Sequence, residues 1–271
     1  MFVIPIEKGN PLRNTPYLVY GLIAANIIVF IYTFFVLDFE LIAAQYGFIP
    51  SHPKVSTSFT SMFLHAGILH IIGNMFFLYM FGDNVEDVTG IFIFPVVYVL
   101  CGLGGTGLHY LFNMNSAIPC VGASGAISGL VGMYVVLFSN AHVDIVFYLR
   151  TWVITEIHAK ATGAVLAWFG MQTVLGLVSY FVSDVPLFGI AFWAHVGGLL
   201  TGFFLGFLLR LMGIEAKPPH KVVKIERKEE GSFWCPHCGK PNEFLNFGKY
   251  LCEDCGTRFV FSKKVEEDWK F

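Results

Sequence analysis

The sequence predicts an all-α polytopic membrane protein with a small, separate module at its C-terminal end. Three observations support this prediction. Only 15 of the first 211 residues are Asp, Glu, Lys or Arg, whereas 21 of the last 60 are. The first part contains long uncharged apolar stretches, and the last part contains two Cys-x-x-Cys motifs. The overall 13% of charged residues therefore averages two unlike regions, and it excludes a single soluble domain, since soluble chains carry about 25%.

Five stretches contain no Asp, Glu, Lys or Arg and are long enough to cross a bilayer. A membrane-spanning helix needs about 20 apolar residues, so four of these stretches accommodate one helix each. The stretch 88–143 is long enough for two, with a polar turn at Asn113–Pro119 between them. We therefore predict six transmembrane helices, at residues 17–37, 59–82, 91–112, 121–141, 162–182 and 188–210. A water-soluble helical core is the alternative, but it would need polar faces at helical spacing, which these segments lack.

The distribution of Lys and Arg predicts the orientation of the helices. Before the tail, one side of the membrane has only Lys54, and the other side has Lys8, Arg13, Arg150, Lys160 and Arg210. Positively charged loops stay in the cytosol, so we expect both termini there, in a plasma (inner) membrane. Helices two, four and six then enter the membrane from the outer face.

Polar side chains at membrane depth are costly and usually mark a functional site. The candidates are His65, His70, Asn74, His109, Ser124, Ser128 and His195. Most Ser residues in membrane helices only bond a helix carbonyl, but Ser124 lies in a Gly-Ala-Ser-Gly motif at the start of helix four. Flanking glycines allow close approach of the backbone, and a helix start offers free N–H groups to a developing negative charge. Ser124 is therefore the candidate nucleophile.

His195 is the candidate base. It lies about two turns into helix six, and Ser124 lies about one turn into helix four, so both belong to the outer half of the membrane. A neutral His can activate a Ser hydroxyl. Gly198, Gly202 and Gly206 follow at a four-residue spacing that lets two helices touch. A packing role for His195 is the alternative, but close helix contact would bring it within hydrogen-bond range of Ser124.

His70 and Asn74 are four residues apart and share one face of helix two, where both can donate to an oxyanion. His65 lies on a different face and is expected to be structural, and His109 is expected to be an interfacial polar residue at the outer end of helix three. The histidines could instead bind a metal. No acidic residue lies inside a predicted span, however, and a zinc hydrolase usually needs a carboxylate base. We therefore expect no cofactor in catalysis.

Together, these residues resemble the motifs of the rhomboid intramembrane serine proteases. The resemblance combines Gly-Ala-Ser-Gly at 122–125, Ala-His-Val-Gly-Gly at 194–198, and His65, His70 and Asn74 in helix two. It covers about residues 17–211. Each motif alone would be weak evidence, but their combination in this order on six helices is specific.

The resemblance implies a catalytic dyad without Asp. Ser124 is then the nucleophile and His195 the base, while His70, Asn74 and the Ser124 backbone N–H form the oxyanion hole. Gly122 keeps the backbone close at that point. The implied reaction is hydrolysis of a peptide bond in or near a transmembrane helix of a single-span or multi-span membrane protein. A catalytically silent rhomboid-like protein that binds or escorts membrane helices is the alternative, but such a protein has no need of both dyad residues.

Two further positions bear on the resemblance. Glu86 is similar to the family's acidic residue that ties helix ends together. The family often has an aromatic residue four positions after the nucleophile, where it stacks on the base; here that position is Ser128. The resemblance therefore implies that another partner orients His195.

The tail has a strong zinc-ribbon signal. Cys235 and Cys238 form one Cys-x-x-Cys knuckle, and Cys252 and Cys255 form a second one after 13 intervening residues. Four thiolates in matched knuckles bind Zn²⁺. Disulfides are the alternative but are rare in the cytosol, and two matched knuckles favour a zinc site over a redox pair. We expect a structural zinc ion whose binding supplies much of the folding free energy of so small a unit.

We therefore expect four regions: a cytosolic N-terminal segment at 1–16, the six-helix membrane domain at 17–211, a charged linker at 212–231 and the zinc ribbon at 232–271. The expected partners are membrane protein substrates, the lipid bilayer and a protein that docks on the ribbon. The ribbon has charges of both signs without a basic cluster, so nucleic-acid binding is not expected. A transporter is disfavoured, because we find neither internal repeats nor acidic residues within the spans.

Overall fold

The computed structural model describes residues 2–8, 14–139, 141–149, 152–182 and 191–214, and five short segments of the tail, 223–226, 231–234, 241–244, 248–251 and 258–262. The chain divides into two units, Met1–Ala216 and Lys217–Phe271. The boundary between the units falls inside the segment predicted to be a linker. The four cysteines predicted to bind zinc, Cys235, Cys238, Cys252 and Cys255, lie outside the described residues.

The first unit is built mainly from helices. They are α1 (Tyr17–Phe35), α2 (Phe39–Tyr46), α3 (Val55–Thr60), α4 (Ile68–Phe77), α5 (Asp83–Asn113), α6 (Ser124–Leu137), α7 (Ala161–Val182) and α8 (Phe192–Leu211). A 3₁₀ turn, Ser61–Phe63, follows α3, and a π-helical turn, Leu78–Gly82, joins α4 to α5. Near its start, α5 is interrupted at Gly90, whose φ of 74° lies in the left-handed region.

Three helical stretches among the described residues are long and apolar enough to cross a membrane: Tyr17–Phe35, Ile68–Asn113 and Phe192–Leu211. The second has 46 residues, and the break at Gly90 divides it into two arms near the roughly 20 residues that one span needs. Two apolar helical stretches, Ser124–Leu137 and Ala161–Leu175, are shorter. Each of the six predicted helices therefore has a helical counterpart, while the number of spans stays a prediction.

The outer surface of these helices is apolar. Leu69 is 85% exposed and Phe92 is 83% exposed. Large exposed apolar surfaces are rare on soluble proteins and mark contact with a partner or a membrane. This surface agrees with a unit that is embedded in lipid.

Three predicted helix starts are wrong. Helix two begins at Ile68 rather than at residue 59, because the backbone leaves the 3₁₀ turn in an extended conformation at Leu64. Helix four begins at Ser124 itself, since Gly122 has a φ of 128° that no α-helix contains. Helix six begins at Phe192, so His195 lies about one turn rather than two turns into it.

Helix α6 occupies the centre of the unit. Every residue from Gly125 to Leu137 is buried, which explains why α6 is apolar all round rather than on one face. It packs most extensively against α8, and both of these helices also pack against α5. The candidate nucleophile therefore stands at the start of the most enclosed helix.

Glycines bring α6 and α8 together backbone to backbone. A Cβ placed on Gly198 would collide with the carbonyl of Gly125, and one on Gly202 would collide with the carbonyl of Gly129. Gly206 continues the same row against α6. The close packing predicted from the four-residue glycine spacing is confirmed.

A three-stranded antiparallel sheet accompanies the helices of the first unit. Strand β1 (Phe2–Lys8) pairs with β2 (His142–Leu149), and β2 pairs with β3 (Trp152–Lys160). The sequence predicts no strand in this unit, because β1 and β2 are far apart in the chain and their pairing leaves no local pattern. The sheet links the N-terminal segment to the connection between α6 and α7.

The second unit contains short strands. They are β4 (Val223–Glu226), β5 (Gly231–Trp234), β6 (Pro241–Phe244), β7 (Gly248–Leu251) and β8 (Arg258–Ser262). Strand β8 pairs antiparallel with β7 and parallel with β4, while β5 pairs antiparallel with β6. The connection within each antiparallel pair contains one of the two Cys-x-x-Cys motifs.

Glu86 ties α5 to the start of α1. Its buried carboxylate accepts hydrogen bonds from the backbone N–H groups of Leu18, at 3.0 Å, and Val19, at 2.8 Å. These N–H groups belong to the first turn of α1, where they have no partner within the helix and the helix dipole favours a negative charge. Glu86 therefore joins two helix ends, as its resemblance to the family's acidic residue implied.

We expect Glu86→Ala to lower the free energy of unfolding by about 2–4 kcal/mol, because two hydrogen bonds to a charged group are lost. Thermal and denaturant unfolding in detergent micelles measure the change. Glu40→Ala is the matched control, since Glu40 lies in the first turn of α2 and is exposed. Equal stability of the two variants would contradict this role of Glu86.

Candidate active site

Ser124 begins α6 beside a small cleft. Ser61, Gly122, Ser124 and Ala194 all line this cleft, which encloses about 20 Å³, enough for a water molecule. Ala194 directly precedes His195 on α8. The cleft therefore lies between the candidate nucleophile and the helix that contains the candidate base.

The backbone of Gly122 positions Ser124. Its φ of 128° is one that residues with a side chain rarely adopt. Its N–H donates to the carbonyl of Ser61 at 2.9 Å, which ties this loop to the segment before α4. Phe48 and Cys120 exchange two backbone hydrogen bonds, of 3.0 and 2.7 Å, and hold the preceding part of the loop.

His70 lies against Gly122. A Cβ placed on Gly122 would lie 2.8 Å from Nε2 of His70 and 3.7 Å from Oγ of Ser124, so the ring and the hydroxyl both lie within 4 Å of one point beside Gly122. Nδ1 of His70 accepts a hydrogen bond from the backbone N–H of Ala66 at 3.4 Å. Because a neutral imidazole has one hydrogen, Nε2 then carries it and is a donor beside Ser124.

Asn74 and His65 lie behind this ring. Asn74 is buried, and its Nδ2 donates to the carbonyl of His70 at 2.9 Å, which uses one of the two amide hydrogens within α4. His65 precedes α4, is fully buried and meets His70 edge to face, with ring centroids 5.1 Å apart. The contact with His70 fits the structural role predicted for His65.

Helix α7 provides the partners of the His195 ring. Nδ1 of His195 lies 3.0 Å from Oε1 of Gln172. Trp168 stacks on the ring with centroids 5.9 Å apart and an interplanar angle of 27°. Ser128 instead donates to the carbonyl of Ser124 at 2.7 Å, within α6. An aromatic residue from α7 thus stacks on His195, although none stands four positions after the nucleophile.

Neither Gln172 nor Trp168 was predicted from the sequence as a site residue. Gln172 had a usable signal, since it is an amide within the uncharged stretch 161–183 and polar groups at membrane depth usually mark function. Trp168 had none, because one more aromatic residue in an apolar helix does not stand out.

The backbones next to Ser124 and His195 are in contact. A Cβ on Gly125 would lie 3.5 Å from the carbonyl oxygen of Ala194 and 3.9 Å from its Cβ. Within the described part of the chain, no hydrogen bond joins the side chains of Ser124 and His195. Catalytic hydrogen bonds are often long without substrate and tighten in the complex.

His109 is buried in α5, so its side chain packs inside the protein, while its depth at the outer interface stays a prediction. Its Nδ1 lies 3.4 Å from Nδ2 of Asn113, and it is near enough to His195 to interact with it electrostatically. Across the described residues, no three His, Cys, Asp or Glu side chains form a group that could hold a metal ion.

Two other side chains in the cleft are poor nucleophiles. Ser61 is buried, and its hydroxyl donates to the carbonyl of Ser58 at 3.5 Å. Burial raises the pKa of the Cys120 thiol to about 12, so it stays protonated and unreactive at neutral pH. Of the Ser61, Cys120 and Ser124 side chains, that of Ser124 is the best placed for nucleophilic attack.

A comparison with protein families matches the Rhomboid domain to residues 52–212, more than half of the 271 residues. The chain belongs to the rhomboid family. The match contains the cleft, the glycine contact between α6 and α8, and Gln172 on α7. Members of the rhomboid family are generally intramembrane serine proteases, and the apolar helices agree with a membrane-embedded protein.

Curated relatives carry rhomboid names. The chain is 36% identical over 150 residues to RHOMBOID-like protein 6, mitochondrial, of Arabidopsis thaliana. The aligned region is 55% of this chain and 42% of that protein. RHOMBOID-like protein 2 of the same plant is 34% identical over 148 residues, covering 55% and 40%. Rhomboid-related protein 1 of Caenorhabditis elegans is 28% identical over 172 residues, covering 62% and 43%. The rhomboid chain thus spans less than half the length of these relatives.

We expect Gly122→Ala to lower the free energy of unfolding of this rhomboid by about 1–3 kcal/mol, because an Ala at this φ is strained and its Cβ meets the His70 ring. Thermal unfolding in detergent measures the loss. Gly107→Ala on α5 is the matched control, since a Cβ there meets nothing within 4 Å. If Gly122→Ala unfolds at the same temperature as the control, the close approach of His70 to Gly122 is not present in solution.

Proposed function

We propose that this rhomboid is an intramembrane serine endopeptidase that cleaves transmembrane segments of membrane proteins with a Ser124–His195 dyad. The observation that supports it most directly is the meeting of the Ser124 hydroxyl and the His70 ring around Gly122. A nucleophile and a hydrogen-bond donor at one point, at a helix start, are what acyl transfer requires. Membership of a family of serine proteases supports the same reaction.

In the proposed reaction, Oγ of Ser124 attacks the scissile carbonyl carbon while Nε2 of His195 takes the hydroxyl proton. The carbonyl π electrons move to the oxygen, which gives a tetrahedral oxyanion. Collapse of this intermediate breaks the C–N bond, and the leaving amine takes the proton from His195. An ester on Ser124 remains. Water then attacks the ester with His195 as the base, and the products are a free carboxyl terminus and the restored Ser124 hydroxyl.

The oxyanion is assigned to three donors. Nε2–H of His70 stands beside Ser124, and the backbone N–H of Ser124 is one of the unpaired donors at the start of α6. The dipole of α6 also favours negative charge there. Asn74 keeps one amide hydrogen that is not bonded to the carbonyl of His70, and we assign this hydrogen to the same oxygen.

The substrates that we propose are single-span or multi-span membrane proteins. A helical substrate hides its carbonyls in hydrogen bonds, so a segment must unwind before Ser124 can attack it. We also propose a plasma (inner) membrane as the location. The distribution of Lys and Arg favours an orientation with both termini in the cytosol. The dyad mechanism uses no cofactor.

The second candidate is a catalytically silent member of the family that binds membrane helices. The lack of a hydrogen bond between Ser124 and His195, two described residues, favours it. It leaves unexplained, however, why a His donor, a glycine at a φ that other residues rarely adopt and a cleft of water size lie next to one Ser. The protease is therefore the better supported proposal.

We expect the purified protein in lipid vesicles to cleave some members of a panel of single-span proteins. Ser124→Ala and His195→Ala should each lower the rate by about 10³-fold or more, because nucleophile and base act as a unit. A serine-reactive fluorophosphonate should label the wild type and fail to label either variant. Ser128→Ala is the matched control, since its hydroxyl bonds only a helix carbonyl. Cleavage by Ser124→Ala at the wild-type rate would overturn the mechanism, and a wild type that neither cleaves nor is labelled would favour the silent protein.

We also propose that the second unit is a zinc ribbon with a structural zinc ion. Cys235 and Cys238 lie in the connection between β5 and β6, and Cys252 and Cys255 lie in that between β7 and β8. Two strand pairs with one thiolate pair each suit a tetrahedral four-sulfur site. Zinc would cross-link the two strand pairs and stabilise the unit. Docking of a protein partner is the role we assign to this ribbon.

Metal analysis of the purified chain should find about one zinc ion per molecule. The double variant Cys235→Ser, Cys238→Ser should lose it, and its tail should become sensitive to limited proteolysis because the metal supplies much of the folding free energy. Cys120→Ser, far from the tail in the sequence, is the matched control and should retain the zinc. A protease-resistant tail in the metal-free protein would rule out this zinc ribbon.

A further inference from the structure

We propose that Gln172 is a positioning residue for His195, whose side-chain carbonyl selects the ring tautomer that can act as a base. Trp168 assists it by holding the ring plane. This inference rests on the proposed function and deepens it, because it assigns the orientation of a base that has no Asp partner in the dyad. Neither residue is part of the Ser, His and Asn motifs from which the activity is proposed.

The hydrogen bond between Gln172 and His195 determines where the imidazole hydrogen lies. Oε1 of Gln172 is a carbonyl oxygen and can only accept, so Nδ1 of His195, at 3.0 Å, must donate. A neutral ring with its hydrogen on Nδ1 has a free lone pair on Nε2. That lone pair is what takes the proton of Ser124. The opposite tautomer has a hydrogen on Nε2 and cannot act as the base.

Trp168 restrains the same ring in a second direction. Trp168 and Gln172 are one helical turn apart on α7 and share one face. The bond from Gln172 holds one edge of the imidazole, and the stacked Trp168 indole covers its plane. An edge contact and a face contact together restrict both side-chain torsions of His195, which fixes the orientation of its ring.

The burial of Gln172 indicates that this bond is more than incidental. Gln172 is buried in an apolar helix, where an unpaired amide is costly. A polar side chain that only needed a partner could use its own helix, as the next residue does: Thr173 donates to the carbonyl of Phe169 at 2.9 Å. Gln172 instead reaches across to α8.

The group that accepts the Nδ1 hydrogen of His195 is a neutral amide and not a carboxylate. The titratable side chains that interact with His195 from α4 and α5, within the described residues, are His70 and His109. None of these provides a carboxylate that could hold Nδ1–H. An amide oxygen holds this hydrogen without burying a negative charge in the membrane.

Two substitutions separate orientation from packing. Gln172→Met keeps the length of the side chain and removes the acceptor, and Gln172→Glu keeps an acceptor oxygen at the same reach. In full-length protein in lipid vesicles, Gln172→Met should lower kcat for a single-span substrate by about tenfold to a hundredfold, because the base loses its orientation. KM should stay unchanged, and fluorophosphonate labelling should slow by the same factor. Gln172→Glu should restore most of the rate.

A second readout does not need activity. With ¹⁵N-labelled histidine, NMR should show His195 with its hydrogen on Nδ1 in the wild type and a shift towards the Nε2–H form in Gln172→Met. Val174→Met is the matched control, since Val174 lies on the same helix and is 58% exposed; it should change neither readout. Trp168→Phe should stay close to the wild type, and Trp168→Ala should lower kcat.

The outcomes are distinguishable. Wild-type kcat and an unchanged tautomer in Gln172→Met would overturn the inference, as would equal losses of kcat in Gln172→Met and Gln172→Glu. The wild type could neither cleave nor be labelled while Gln172→Met still shows the tautomer shift. That result would overturn the proposed protease and would support the hydrogen bond from His195 to Gln172.

Discussion

The backbone contact between α6 and α8 is the constraint on which the rest of the site depends. In a membrane, lipid tails are as apolar as the side chains, so helices associate through close packing rather than through exclusion of water. Gly198 and Gly202 supply that closeness, because a side chain at either position would collide with a backbone carbonyl of α6. The same contact brings the start of α6, where Ser124 lies, close to Ala194, the residue before His195. Gly105 brings α5 to this point as well, since a Cβ there would lie 2.7 Å from the carbonyl oxygen of Ala194.

Features that follow from local chemistry could be predicted from the sequence. The absence of charge marked the helical stretches, because a charge in lipid is costly wherever the helix packs. Glycine spacing predicted the contact of α8 with a neighbour, and the Gly-Ala-Ser-Gly motif predicted a helix start beside a candidate nucleophile. The family motif implied that His70 lies near Ser124, and in the structure the His70 ring lies against Gly122, two residues before Ser124. Each of these features needs only a few neighbouring residues.

Features that depend on how distant segments meet could not be predicted. The start of helix two at Ile68 depends on the extended backbone at Leu64, after the 3₁₀ turn. The apolar pattern of this stretch does not indicate that change of conformation. Strand β1 pairs with β2 across most of the first unit. The hydrogen bond between Gln172 and His195 depends on the rotation of α7 about its own axis. An almost uniformly apolar sequence does not indicate that rotation. The burial of His109 could not be predicted for the same reason, because depth along a helix can be read from the sequence but the direction of a side chain cannot.

The hydrogen bonds of polar side chains separate structural from functional groups in this unit. Many of these side chains return their hydrogen to the carbonyl four residues earlier, as Thr33, Thr89, Ser128 and Thr201 do. Such a bond satisfies the hydroxyl within its own helix, so the hydroxyl needs no partner on a neighbouring helix. His195 instead takes its partner from a neighbouring helix, where the geometry must be maintained by packing. By this criterion the evidence for Asn74 is weaker than for His70, because Asn74 already donates within α4 and only its remaining amide hydrogen is available to an oxyanion.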